Sequence, residues 1–188
     1  MKKRNTVSLI CTQRCIIIIT LMCMLFIATG CSSTSTKYNF QQDIRLHSHH
    51  EKQNAKECIQ SKGYSLKEKA KVLRVESVAG QRKFNEGWAW KEPVLGDIWV
   101  LGLCWNKGNG QYLVQVGANP NNSKDISLPI LRHEMGHFWL MSNHNIHHHD
   151  STFSSCFINW RDVGVRAMSI EFEDGAIVII DYVVEDEN

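Results

Sequence analysis

The chain has 188 residues, 43% hydrophobic and 21% charged, which fits one globular domain preceded by a targeting segment. Its net charge of +2 conceals an asymmetry: Lys2, Lys3, Arg4 and Arg14 precede Cys31 with no acidic residue among them, so the chain from Cys31 onward carries −2. A mildly acidic domain without a Lys/Arg stripe excludes nucleic acid as a charge-driven partner and a membrane held by charge alone.

Residues 1–30 read as an export signal. A basic start is followed by an uncharged apolar run from Cys15 to Ala28, about the length of a signal-peptide core and short for a bilayer-spanning helix. The run ends in Ala28-Thr29-Gly30-Cys31, which resembles the bacterial lipobox, with Ala28 where Leu is usual. The resemblance implies a lipid on Cys31, a cell-envelope location and a membrane partner reached through the N-terminal anchor. Ser32, standing where an inner-membrane retention Asp would be, favours the outer membrane and its periplasmic face. An uncleaved anchor or an ordinary cleaved signal remains the alternative. Residues 31–50 read as a flexible tether, Ser/Thr-rich at its start, and 51–188 as the folded domain.

Downstream of Cys31 only Cys58, Cys104 and Cys156 remain, an odd number. In an oxidising compartment two can pair; a Cys104–Cys156 bridge is one expectation, three buried thiols the other. Helical spacing is visible from Gln53 to Ser61 and around Leu66 to Leu73, with Gly63 as a break. Ile98, Val100, Leu101 and Leu103 precede Cys104 and Trp105. After Asn109-Gly110 come Tyr112, Leu113, Val114 and Val116, so the two runs form an expected hairpin. Asn119-Pro120-Asn121-Asn122 marks a loop. A helix then spans about Leu128 to Met141, with Ser127 as cap, Pro129 in the first turn, Ile130, Leu131, Met135, Phe138 and Met141 at helical spacing, and Ser142-Asn143 at the exit. Ala167 to Phe172 and Ala176 to Val184 flank Glu173-Asp174-Gly175 as a second hairpin, although Ile177 to Ile180 also fits a buried helix.

That helix carries His133-Glu134-Met135-Gly136-His137. Histidines four apart leave the same helical face one turn apart, which suits a single zinc ion. Glu134, next to the first ligand, is placed to take a proton from a water acidified by the ion and return it to a leaving amine. The motif lies in the best-marked helix, behind an expected strand, with Leu131, Met135 and Phe138 available to pack on a sheet.

From Gln111 to about Asp150 the chain thus resembles the zincin metallopeptidases. The resemblance implies an α+β domain, a mixed or antiparallel sheet packed on an active-site helix, a Zn2+ cofactor and a peptide or protein substrate. It also implies a third zinc ligand. The metzincin spacing falls on Leu140 and Asn143, which do not match, and His144 lies one residue later as the first candidate. His147, His148, His149 and Asp150 are others, and a gluzincin-like scheme would use Glu171 or Glu173. Met168 is either a methionine turn or core filler; His47, His49 and His50 read as a solvated loop, and Trp139 as support for the helix. If the strand Gln111 to Gly117 borders the cleft, an extended peptide would pair with its edge. The expected function is therefore zinc-dependent peptide-bond hydrolysis in the cell envelope, with a non-catalytic His-rich metal-binding lipoprotein as the alternative.

Overall fold

The structure is a computed structural model; it describes residues 39–40, 45–92, 95, 98–157 and 164–184. The signal at 1–30 and Cys31 lie outside the described residues, and every element below belongs to the unit Lys37–Asn188. The chain is α+β, with a mixed sheet against which the motif helix packs. Among the described residues no helix is long and apolar enough to cross a membrane.

In chain order the elements are β1 (Asn39–Phe40), α1 (Arg45–Ser61), β2 (Val72–Ala79), β3 (Arg82–Lys83), β4 (Trp88–Lys91), β5 (Trp99–Asn106), β6 (Gln111–Asn119), β7 (Asn122–Ile126), α2 (Leu128–His144), α3 (Ser151–Cys156), β8 (Val165–Glu171) and β9 (Ile177–Val183). Both expected hairpins form, β5 with β6 and β8 with β9. Positive φ at Asn109 and Gly110, 52° and 75°, is what the first tight turn requires and what Asn-Gly supplies. The segment around Leu66 to Leu73 is not helical: it runs as a loop into β2, which pairs in parallel with β6. That pairing joins Val72 to Gln111, a partner far outside any window in which periodicity is read. Helix α1 begins at Arg45, upstream of the spacing visible from Gln53, and Gly63 breaks the chain after it with φ 95°.

Strand β9 runs along one edge of β5, so β6 and β4 share the other, and β8 lies outside β9. Strand β6 is therefore interior, paired to β2 on one side and β5 on the other, and has no edge to offer a peptide along Gln111 to Gly117. Alternation along β9 sorts the sheet's two faces. Ile177, Ile179, Asp181 and Val183 face α2, while Val178 and Ile180 face a second cluster with Val100, Leu103, Trp90 and Met168. Met168 is thus core filler on the face away from the motif helix.

Helix α2 is enclosed on nearly every side, with Ile130, Leu131 and all of His133 to Met141 buried. The sheet covers one flank; α1 covers another through Ala55 and Ile59, and α3 a third through Phe153. A fully buried apolar side chain of this size contributes about 1.5–3 kcal/mol, and α2 supplies Ile130, Leu131, Met135, Phe138 and Leu140 to this core. Polar contacts fix its azimuth: Trp139 Nε1 donates to Lys52 O at 2.9 Å, and Arg132 Nε pairs with the buried Glu51 carboxylate at 2.5 Å.

Candidate metal centre

His133 and His137 leave α2 on the flank facing β9 and α3, where both are 1% exposed. Their ring nitrogens converge. His133 Nε2 lies 3.0 Å and His137 Nε2 3.4 Å from Asp181 Oδ2, and His149 Nε2 lies 3.6 Å from Asp181 Oδ1 and 3.0 Å from His137 Nε2. The four donor atoms sit within 4.8 Å of one another. Donors in a tetrahedron around one ion at about 2.1 Å stand roughly 3.4 Å apart, inside the range of these separations. Both Asp181 oxygens face imidazole nitrogens, Oδ2 those of His133 and His137 and Oδ1 that of His149. His133, His137, His149 and Asp181 thus form a buried set that can hold a metal ion.

The third imidazole is His149, not His144. Helix α2 continues to His144 and ends at Asn145, in the left-handed conformation at φ 56°. His144 therefore stays on the helix, seven residues past His137. At 1.5 Å per residue that is roughly 10 Å along the axis, too far to share an ion. It is exposed instead, with Nε2 3.1 Å from Ser65 O and its ring edge-on to Tyr64. Of the other candidates, His148, Glu171 and Glu173 are exposed, and His147 lies outside the cluster. Asp150 caps α3, its Oδ1 accepting from Phe153 N at 2.7 Å. His47, His49 and His50 are exposed on α1 rather than in a loop.

The cap places the ligand. Tyr64 Oη donates to Asp150 Oδ2 at 3.2 Å, fixing the residue after His149. Helix α3 then holds Phe153 over the imidazoles, stacked on His137 at 4.2 Å and His149 at 4.6 Å and edge-on to His133 at 4.7 Å. A disulfide ties the end of α3 to α1, but it joins Cys156 to Cys58; Cys104 is buried in the sheet and has no disulfide partner among the described residues. Gly136 makes the approach possible, since a Cβ there would meet the Phe157 ring and lie 3.1 Å from Phe153.

Glu134 points to the sheet. It is fully buried beside Gly102, with Asp181 as its nearest charged neighbour across the sheet. The register of β5 against β9 shifts between Val100 and Gly102, a bulge that turns Leu101 and Gly102 both towards α2. Gly102 is paired with Asp181, so the carboxylate and the donor set are neighbours. Burial, then the Asp181 charge, pushes the Glu134 carboxyl well above its ordinary range. Burial lowers His137 to about 3, which keeps the ring in the neutral form that ligates. His133 holds Asp181 ionised in spite of its burial.

Sequence reasoning missed Asp181. The signal was a single carboxylate inside the apolar run Ala176 to Val184, where an unpaired charge is costly enough to demand a partner. No family model, curated protein or solved structure matches the chain. The likeness to zincins rests on the motif and its helix.

Proposed function

We propose that this chain is a zinc-dependent endopeptidase of the bacterial cell envelope, with a zincin-like arrangement of active-site helix and sheet. The observation that carries the reading is the place of Glu134: fully buried on the motif helix next to His133, its carboxyl adjoins Asp181 and the convergent set of three imidazoles. A group that exchanges a proton beside the ion is what hydrolysis requires and ion storage does not.

Three imidazole nitrogens and one carboxylate oxygen suit zinc. A bound divalent ion supplies the charge that polarises a carbonyl and acidifies water. His133, His137, His149 and Asp181 would hold it. Glu134 takes a proton from water at a carboxylate oxygen and gives it to the leaving amine nitrogen. Phe153 screens the imidazoles from bulk water, leaving the partly exposed His149 as the approach.

One feature favours a second reading, a non-catalytic metal-binding lipoprotein. Four protein donors complete a zinc shell, and closed shells are the mark of structural sites. Replacement of Glu134 by Gln separates the two. For a peptidase, cleavage of a peptide mixture by the zinc-loaded protein is lost while zinc content is kept; a wild-type protein that holds zinc and cleaves nothing is the metal binder. The Cys58–Cys156 disulfide supports an oxidising compartment. Anchorage through Cys31 at the periplasmic face of the outer membrane predicts labelled-palmitate incorporation that disappears in Cys31→Ser; incorporation undiminished in that variant refutes it.

A further inference from the structure

Helix α3 is six residues long, well below the roughly 12–15 at which an isolated helix is even marginal in water, so it keeps its shape and place through what it touches. Among the described residues those ties are few. Phe153 and Phe157 are buried against the imidazoles and Gly136, Asp150 accepts from Tyr64, and Cys156 is bonded to Cys58. On another flank a cavity of about 520 Å³ separates the segment from His147 to Ser154 from strand β8, which leaves that segment room to move.

The other end of the disulfide is fixed independently. Helix α1 is 17 residues long, buries Ala55 and Ile59 in the core, pairs Glu51 with Arg132 and takes a hydrogen bond from Trp139 at Lys52 O. Breaking the bond therefore frees α3 and leaves α1 in place. Three of the four metal donors lie on elements the bond does not touch, His133 and His137 on α2 and Asp181 on β9. His149 alone precedes α3, one residue before its cap. Cys58 and Cys156 are each partly exposed while Cys104 is buried, so a soluble thiol meets this bond first.

We propose that the Cys58–Cys156 bond is a redox site that sets metal retention: a dithiol reductant opens it, α3 loosens, and His149 leaves the donor set. This rests on the metal centre described above and, for its effect on cleavage, on the peptidase reading. A thiolate of the dithiol attacks one sulfur, the S–S bond breaks and the other cysteine departs as thiolate. The second thiol of the reductant then attacks the mixed disulfide. The chain gains two electrons and two protons as two thiols, and the reductant closes its own disulfide. Metal affinity falls by the fraction of time that α3 stays docked, because a chain with His149 turned away offers an incomplete shell.

The test compares three forms of the full-length, metal-free protein. One is oxidised; one is reduced with dithiothreitol, alkylated with iodoacetamide and freed of reagent; one carries Cys58→Ser with Cys156→Ser. Zinc affinity is read by competition with a chromophoric chelator, and amide hydrogen exchange is followed over α2 and α3. Both bond-free forms are expected to bind zinc at least tenfold more weakly than the oxidised chain, which corresponds to α3 docked about a tenth of the time. They are also expected to exchange faster at Phe153, Ser154 and Phe157, whose amides are hydrogen-bonded within the capped turn, with α2 unchanged. Adding His149→Ala is expected to weaken zinc binding by a smaller factor in the serine pair than in the oxidised chain, the signature of a bond that acts through that residue. Should the serine pair misfold, the alkylated chain carries the affinity and exchange readouts. Equal zinc affinity in the oxidised and either folded bond-free form, or weaker binding without faster exchange in α3, overturns the proposal. Redox-dependent zinc affinity in a chain that cleaves no peptide when oxidised would leave this site standing and the peptidase wrong; cleavage that survives reduction with zinc retained would leave the peptidase standing and this site wrong.

Discussion

Replacement of Gly102 by Ala tests the position of Glu134 without touching a metal donor. A Cβ at 102 would collide with Glu134 Oε1 and stand 2.9 Å from its Cδ and 3.0 Å from its Cγ. Because the contact reaches back to Cγ and the side chain is enclosed, a swing of the carboxylate tip cannot relieve it. Overpacking of this kind costs about 1–3 kcal/mol, or roughly 2–12 °C in Tm for a domain of this size. Activity should fall much further. A misplaced general base and acid forfeits about 10²–10⁴ in rate, equivalent to roughly 2.7–5.5 kcal/mol of barrier. The assay is kcat on a cleavable peptide, with Tm and zinc stoichiometry measured on the same preparation. Zinc content should hold, and adding Glu134→Asp, one methylene shorter, should restore part of the lost rate. An unchanged kcat in Gly102→Ala, with Tm lowered as expected, would refute the placement of Glu134 as the proton carrier.

In the metal-free protein, burial raises the folded-state pKa of Glu134 above the value of about 4.3 in an unfolded chain. The stability this proton contributes is complete below about pH 4.3 and lost as pH rises through the folded-state value. Metal-free Glu134→Gln should therefore melt above the wild type at neutral pH, with the gap closing towards pH 4; a gap that does not change with pH contradicts the buried ionisable carboxyl. The Cys58–Cys156 bridge closes a sequence separation of 98 residues. Its removal in Cys58→Ser with Cys156→Ser should cost about 2–5 kcal/mol, seen as a fall of roughly 4–20 °C in Tm; an unchanged Tm rejects the bridge, and with it the expectation of an oxidising compartment.

What was legible in the sequence was local. Asn109-Gly110 announced the turn between β5 and β6, and Ser127, Pro129 and the spacing from Ile130 to Met141 placed α2. His133 and His137 followed from that helix, since four residues on a helix fix two side chains in space. What failed depended on distant partners. Leu66 to Leu73 looked helical because β2 is specified by β6, and Cys104 looked available because Cys58 is brought to Cys156 only by the packing of α1 on α3. His149 could not be chosen from its neighbours by spacing, because the chain leaves α2 at Asn145 and the Asp150 cap decides which imidazole turns inward. Asp181 lies 44 residues after His137 and reaches the site only through the pairing of β9 with β5.

Metal analysis of the purified full-length protein, beside single alanine variants at His149, Asp181 and His144, tests the centre most directly. One zinc ion per chain is expected in the wild type and in His144→Ala, with sharp loss in His149→Ala and Asp181→Ala. A wild-type protein without stoichiometric metal, or one whose metal depends on His144 and not on His149 and Asp181, contradicts the site on which the proposed hydrolysis depends.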